Sequence, residues 1–232
     1  MRLVMFHPID HRMKRGWVGR VEGEHVVQLA AQTLQAFFTG GGSAREHAVF
    51  PLSRVQLLTP VLYPPAVRIF DDASSFSFAN PAAVLGPGAE VNALRGGLVL
   101  LPRLAAMVGG EGAIGGFTAV ADWRRTELAA PKDRDFALSL GPALVTSDEL
   151  DPDGLAAVVR VAGEERLKGR FEGFDWEAAR ALAADGTTLR PGDLIVGPAL
   201  DEVDDLTPGS PGYVNVELEV EGIGVLTLTV GR

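Results

Sequence analysis

Between Gly115 and Thr146 the chain sets one carboxylate among several fixed cations. Asp122 is followed by Trp123, Arg124 and Arg125, and a Lys132-Asp133-Arg134-Asp135-Phe136 segment comes next. The strand-like run from Phe117 to Val120 delivers Asp122, and Ser139-Leu-Gly-Pro142 leads into a further apolar strand. Hard cations such as magnesium need several oxygen ligands, so a single carboxylate makes a weak seat for one. Guanidinium and ammonium groups, in contrast, grip an organic anion directly. All four histidines, His7, His11, His25 and His47, precede residue 48, and there is no cysteine. The part of the chain that carries Asp122 therefore lacks the usual proton carrier of neutral pH. His7 and His11 are four apart, but Pro8 and the charges after His11 argue against a helical metal pair and place both in a solvated loop. No phosphate loop or nucleophile elbow occurs; Gly109-Gly110 and Gly115-Gly116 read as turns.

Composition narrows the class. The 232 residues, 47% of them hydrophobic, suffice for a substantial core. A net charge of -9, from 30 acidic and 21 basic residues, opposes binding to a phosphate backbone, so no nucleic-acid partner is expected. No apolar run approaches the roughly 20 residues of a membrane span, and Leu3–Phe6 is too short for a signal peptide. A cytoplasmic protein with no membrane partner is expected. The 28 glycines and 15 prolines point to many turns between short strands.

The elements that must position these residues are mostly strands. Residues 1–60 read as a small N-terminal domain: a strand over Arg2–Phe6, a hairpin from Trp17–Val21 and His25–Leu29, a helix over Ala30–Phe38 ended by Gly40-Gly-Gly42, and a strand over Arg54–Leu58. Residues 61–232 form the second unit. Leu98–Val108 is a long apolar stretch interrupted by Pro102 and Arg103. Leu155–Val161 and Arg166–Phe171 form a hairpin, Asp175 caps a helix over Trp176–Ala184 with Gly186 as its stop, and Val214–Val220 alternates strictly before turning into Ile223–Val230. The acidic patch Asp201–Asp205 with Pro208–Gly212 reads as an exposed loop.

The segment from Gly115 to Thr146 resembles the fumarylacetoacetate hydrolase family, whose matching stretch reads roughly G-[YF]-T-x-x-N-D-[WV]-[ST]-x-R-[DE] and then K-x-K-D-F-x-x-S-L-G-P-x-[LI]-V-T. Asn80-Pro-Ala-Ala-Val-Leu-Gly-Pro-Gly88, Leu104-Ala-Ala-Met-Val-Gly109, Leu189-Arg-Pro-Gly-Asp-Leu-Ile195 and the closing VELEVEGIGVL from Val216 to Leu226 resemble further family segments in the same order. The resemblance implies an α+β, mostly β fold: a mixed β-roll with peripheral helices behind a small N-terminal α/β domain. It also implies a hydrolase, decarboxylase or hydratase acting on C–C bonds of 2-oxo or β-diketo acids, with magnesium as cofactor and a homodimer as the assembly. By position, Asp122 is the metal ligand and Lys132 and Arg134 are the catalytic residues; Arg103 and Arg125 are expected, from their charge, to bind the substrate, a small organic acid.

The departures from the family pattern are chemical. The two metal-binding glutamates fall at Leu101 and Arg103, neither of which holds a cation. The second lysine of K-x-K-D-F is Arg134, the arginine after the aspartate sits one residue early at Arg125, and the Thr-Gly-Thr loop reads Gly197-Pro198. Asp71–Ala79, where the family carries a lid with a catalytic histidine, is short and holds none. These changes imply a weakened or lost metal site, with Arg103 paired to Asp122. The alternative is an inactive family member that binds an organic anion through Arg103, Arg125 and Arg134, or that serves as partner of an active paralogue.

Overall fold

The computed structural model describes residues 1–93, 97–206 and 212–231. The first part of the chain supplies β1 (Arg2–Pro8), β2 (Trp17–Glu22), β3 (His25–Leu29), α1 (Leu34–Thr39), β4 (Glu46–Pro51) and β5 (Val55–Leu58). A hairpin of β6 (Val67–Asp72) and β7 (Ser75–Ala79) follows, then the short β8 (Val84–Leu85) and β9 (Glu90–Asn92), and three long strands, β10 (Leu98–Val108), β11 (Ile114–Arg125) and β12 (Leu138–Thr146). The chain ends with β13 (Leu155–Val161), β14 (Glu164–Phe171), α2 (Trp176–Ala184), β15 (Leu194–Val196), β16 (Tyr213–Val220) and β17 (Gly224–Gly231).

The result is an α+β, mostly β fold of two sheets. A large sheet runs β4-β3-β2-β1-β12-β11-β10-β15-β6-β7, with β5 on β1 and β8 on β12; a smaller one runs β14-β13-β16-β17-β9. Residues 1–60 enter the large sheet through the antiparallel β1–β12 pair, in register Leu3↔Leu144. In β16, Val216, Leu218 and Val220 are buried while Asn215 is exposed, the alternation of a strand with one wet face. That buried face meets Phe117, Ala119, Ala121 and Trp123 of β11 in the main core. The opposite face of the large sheet packs Ala105, Met107 and Val120 against Leu3, Met5, Leu138 and Val196. Successive residues of β10 and β11 thus enter different cores, which is why both read as continuous apolar runs rather than alternating ones.

Pro102 does not interrupt β10. It pairs with Ala121, and its carbonyl accepts from Leu200 N at 3.1 Å. In an antiparallel strand a residue's N and O point to the same side. The missing N–H therefore faces the 199–203 loop and removes nothing from the β10–β11 ladder. The α1 helix begins at Leu34 rather than Ala30, because the Thr33 side chain accepts from Ala36 N and caps it there. The α2 helix starts after the Asp175 cap as its sequence implies. His7 is not in a solvated loop: β1 extends to Pro8 by pairing with β5, and His7 is buried, with Nδ1 2.9 Å from the Pro8 carbonyl. The expected loop over Pro208–Gly212 falls mostly outside the described residues, and Val203 upstream of it bridges to Leu100. None of the described helices is long and apolar enough to cross a membrane.

Trp123, fully buried between the sheets, donates from Nε1 to Ser139 Oγ at 3.0 Å. Trp123→Phe leaves the Ser139 hydroxyl without this donor. It should lower stability by about 1–3 kcal/mol in urea titrations, with the m-value unchanged.

Candidate functional site

The register of β10 and β11 builds the site. Leu101 lies opposite Asp122 and Arg103 opposite Val120, so Leu101, Arg103, Asp122 and Arg124 share one face of the sheet. Arg103 reaches diagonally across the ladder, and its Nε donates to Asp122 Oδ2 at 3.0 Å. Both residues are only 1% exposed. The rest of the guanidinium is engaged as well: Nη1 donates to the Gly197 carbonyl at 3.0 Å and the Phe70 carbonyl at 3.4 Å, and Nη2 to Asp71 Oδ1 at 3.0 Å. The pairing of Arg103 with Asp122 expected from the sequence is therefore present, and Leu101 fills the position directly beside the carboxylate.

Two more guanidinium groups approach. Arg124 Nη2 is 3.6 Å from Asp122 Oδ2. Arg134, in the turn before β12, donates from Nη1 to Ser77 Oγ at 3.1 Å and lies 4.0 Å from Asp133 Oδ2. The Nε atoms of Arg124 and Arg134 are both buried without a hydrogen-bond partner, as is Asp133 Oδ1. Burial, and next the neighbouring Arg124, hold the Arg134 guanidinium below its ordinary pKa. Burial raises the Asp122 carboxyl above the usual aspartate value, against the opposing pull of Arg103, Arg124 and Arg134.

The segment Asp71–Ala79 closes over this cluster as the end of the β6–β7 hairpin. Its turn is held by Asp72 Oδ1, which accepts from Ser74 N at 2.7 Å. Asp71 and Ser77 then supply the outer partners of Arg103 and Arg134. Neither was picked out from sequence. Asp71 sits at the irregular step of β6 between Phe70 and Asp72, so the bend of the hairpin rather than strand alternation brings it to Arg103.

The structure does not bring Arg125 or Lys132 into the cluster. Arg125 is one residue out of phase with Asp122, so it leaves on the opposite face with Trp123; its guanidinium stacks 4.2 Å from the Phe136 ring centre and donates to the Asn92 carbonyl. Arg124 takes the place beside Asp122 instead. Lys132 projects from the turn and pairs with Asp135 at 2.8 Å, with 71% of its side chain exposed. Among the described residues no group of three or more His, Cys, Asp or Glu side chains is arranged to hold a metal ion.

Removing one partner of a buried ion pair strands the other. Arg103→Ala should destabilise the fold by about 3–5 kcal/mol at pH 8. The pH dependence has a fixed sign. A carboxyl whose folded pKa is raised favours the folded state below its unfolded pKa and loses that contribution as pH rises through the folded value. Losing Arg103 raises the Asp122 pKa further, so the gap between variant and parent should narrow as pH falls from 8 toward 5, measured by urea titration at each pH.

The fumarylacetoacetate (FAA) hydrolase C-terminal family model matches residues 71–231. No curated protein matches the chain by sequence. Among solved structures, maleylpyruvate hydrolase from Sphingobium sp. SYK-6 in complex with manganese(II) and pyruvate superposes with a TM-score of 0.79 at 21% identity, covering 100% of both chains. A 2-keto-3-deoxy-D-arabinonate dehydratase complexed with magnesium and 2,5-dioxopentanoate gives 0.79 at 17% identity, covering 100% of this chain and 99% of that one. Fumarylacetoacetate hydrolase from Exiguobacterium antarcticum gives 0.78 at 20%, again over 100% and 99%. These likenesses concern the fold, and two of the three proteins hold a divalent metal. With more than half its length matched by the family model, the chain belongs to the fumarylacetoacetate hydrolase family.

Proposed function

We propose that this family member holds a small organic carboxylate without a divalent ion, through Arg124 and Arg134. The observation that carries the reading is the buried Arg103–Asp122 pair. A guanidinium with four acceptors occupies the space beside the one carboxylate that matches a family metal ligand. Magnesium or manganese at Asp122 needs further oxygen ligands and charge compensation. The neighbours of Asp122 on this face of β10 and β11 are Leu101, Arg103 and Arg124, of which one is apolar and two repel a cation, and the Asp71 carboxylate at the rim is taken up by Arg103. These residues do not fit the family's ion.

They do fit an anion. Arg124 and Arg134 each keep a buried Nε–H without a partner, and their like charges repel. A carboxylate accepting from both would satisfy these donors and relieve the repulsion. The resemblance to enzymes of 2-oxo and β-diketo acids supports that class of ligand. Pairing as a homodimer is part of the same reading, and the native mass of the purified chain tests it. A cation-dependent hydrolase or lyase of C–C bonds is the competing reading, and it requires a set of oxygen ligands that is not assembled among the described residues.

Thermal unfolding with pyruvate and larger 2-oxo acids, in EDTA and in excess magnesium, separates the two. A ligand at one hundred times its Kd stabilises by about 2.7 kcal/mol. The stabilisation should be equal with and without chelator, and should fall at least tenfold in apparent affinity in Arg124→Gln and Arg134→Gln. Stabilisation that appears only with the cation would overturn the proposal.

A further inference from the structure

A cavity lies across the large sheet from Arg103. Leu104, the next residue of β10, points to the opposite face and forms one wall. Phe174, Trp176 and Leu200 form the others, and the space measures about 130 Å³. A cavity of about 150 Å³ holds a benzene-sized guest, so a compact ligand of that order fits.

The aromatic wall is fixed before any ligand arrives. Phe174 and Trp176 flank the Asp175 cap of α2, whose side chain accepts from Ala178 N at 2.9 Å. Their rings meet edge to face with centroids 4.8 Å apart, and Trp176 meets Phe117 in the same way at 5.1 Å. Gly197 closes the seam: a Cβ there would stand 2.9 Å from the Trp176 ring. The same glycine gives its carbonyl to Arg103, so the two sites share a rigid wall but open on different faces.

The polar side of the cavity is formed by Asp153, Arg170 and Glu172. Arg170 is committed elsewhere, donating to the Gly154 carbonyl and lying 3.8 Å from Glu221. Asp153 Oδ1 accepts from Gly173 N at 2.7 Å, which pins the loop that carries Glu172. Among the described residues Glu172 has no cationic partner. The local balance is therefore negative, and the chain as a whole carries -9.

We propose that this cavity binds a small organic cation, seated on the Phe174–Trp176 wall with its charge toward Glu172 and Asp153. Aromatic rings attract a cation electrostatically, and carboxylates at the rim of the cavity add to that attraction. An organic acid is disfavoured by the same carboxylates. A neutral apolar guest gains nothing from them.

Choline and 3,3-dimethylbutan-1-ol have the same shape and differ in the charged nitrogen. Each is titrated into the full chain while the indole N–H resonances of Trp17, Trp123 and Trp176 are followed by NMR. Choline should move the Trp176 resonance alone and bind at least tenfold more tightly than the neutral alcohol. Glu172→Gln, on the surface, should shrink that ratio toward one. Equal binding of the two compounds, no shift at Trp176, or a ratio untouched by Glu172→Gln would overturn the proposal.

Discussion

A guanidinium buried against a single carboxylate constrains everything around it. Neither Arg103 nor Asp122 can be left alone in this interior, because an unpaired buried charge costs several kcal/mol. The Coulomb attraction between them is strong only because water is excluded, and that exclusion leaves each remaining N–H of Arg103 in need of an acceptor. The chain supplies these from three directions: the Gly197 carbonyl after β15, the Phe70 carbonyl in β6 and the Asp71 carboxylate at the rim. The register of β10 with β11, the exit of β15 and the position of the β6–β7 hairpin are all tied to one side chain.

The same pairing decides what chemistry this face can support. A metal seat concentrates negative charge and needs a cation to balance it. Here the balance is built into the polypeptide, and Arg124 and Arg134 stand beyond the pair with buried Nε–H donors unspent. On the proposed reading, recognition of an anion takes the place of Lewis-acid chemistry. The hairpin that carries Asp71 and Ser77 covers the cluster and supplies the outer partners of Arg103 and Arg134.

Much of the fold was legible in the sequence because the signals were periodic or local. The alternation in Val214–Val220, the Asp175 cap and the hairpin glycines each specify a geometry by themselves. Ala30–Phe38 misled at its start because an apolar run can begin before the cap that defines the helix. His7 misled because its burial depends on β5, fifty residues away, closing over β1. At the site, the pairing of Arg103 with Asp122 was legible because a buried guanidinium needs a counter-charge and a lone carboxylate stands two strand positions away. Arg125 was misplaced because a linear match counts residues while a strand sorts them by parity: Arg124, two from Asp122, faces the site and Arg125 faces away. Asp71 and Ser77 carried no motif, and only the path of the hairpin brings them in.

Manganese binding, followed by isothermal titration and by the paramagnetic resonance of the free ion, tests the central claim most directly. The parent chain should show no saturable site up to millimolar manganese, while Leu101→Glu/Arg103→Glu, which places three carboxylates on the face of Asp122, should acquire one. A micromolar site in the parent chain that is lost in Asp122→Asn would contradict the claim that Arg103 has taken the place of the ion.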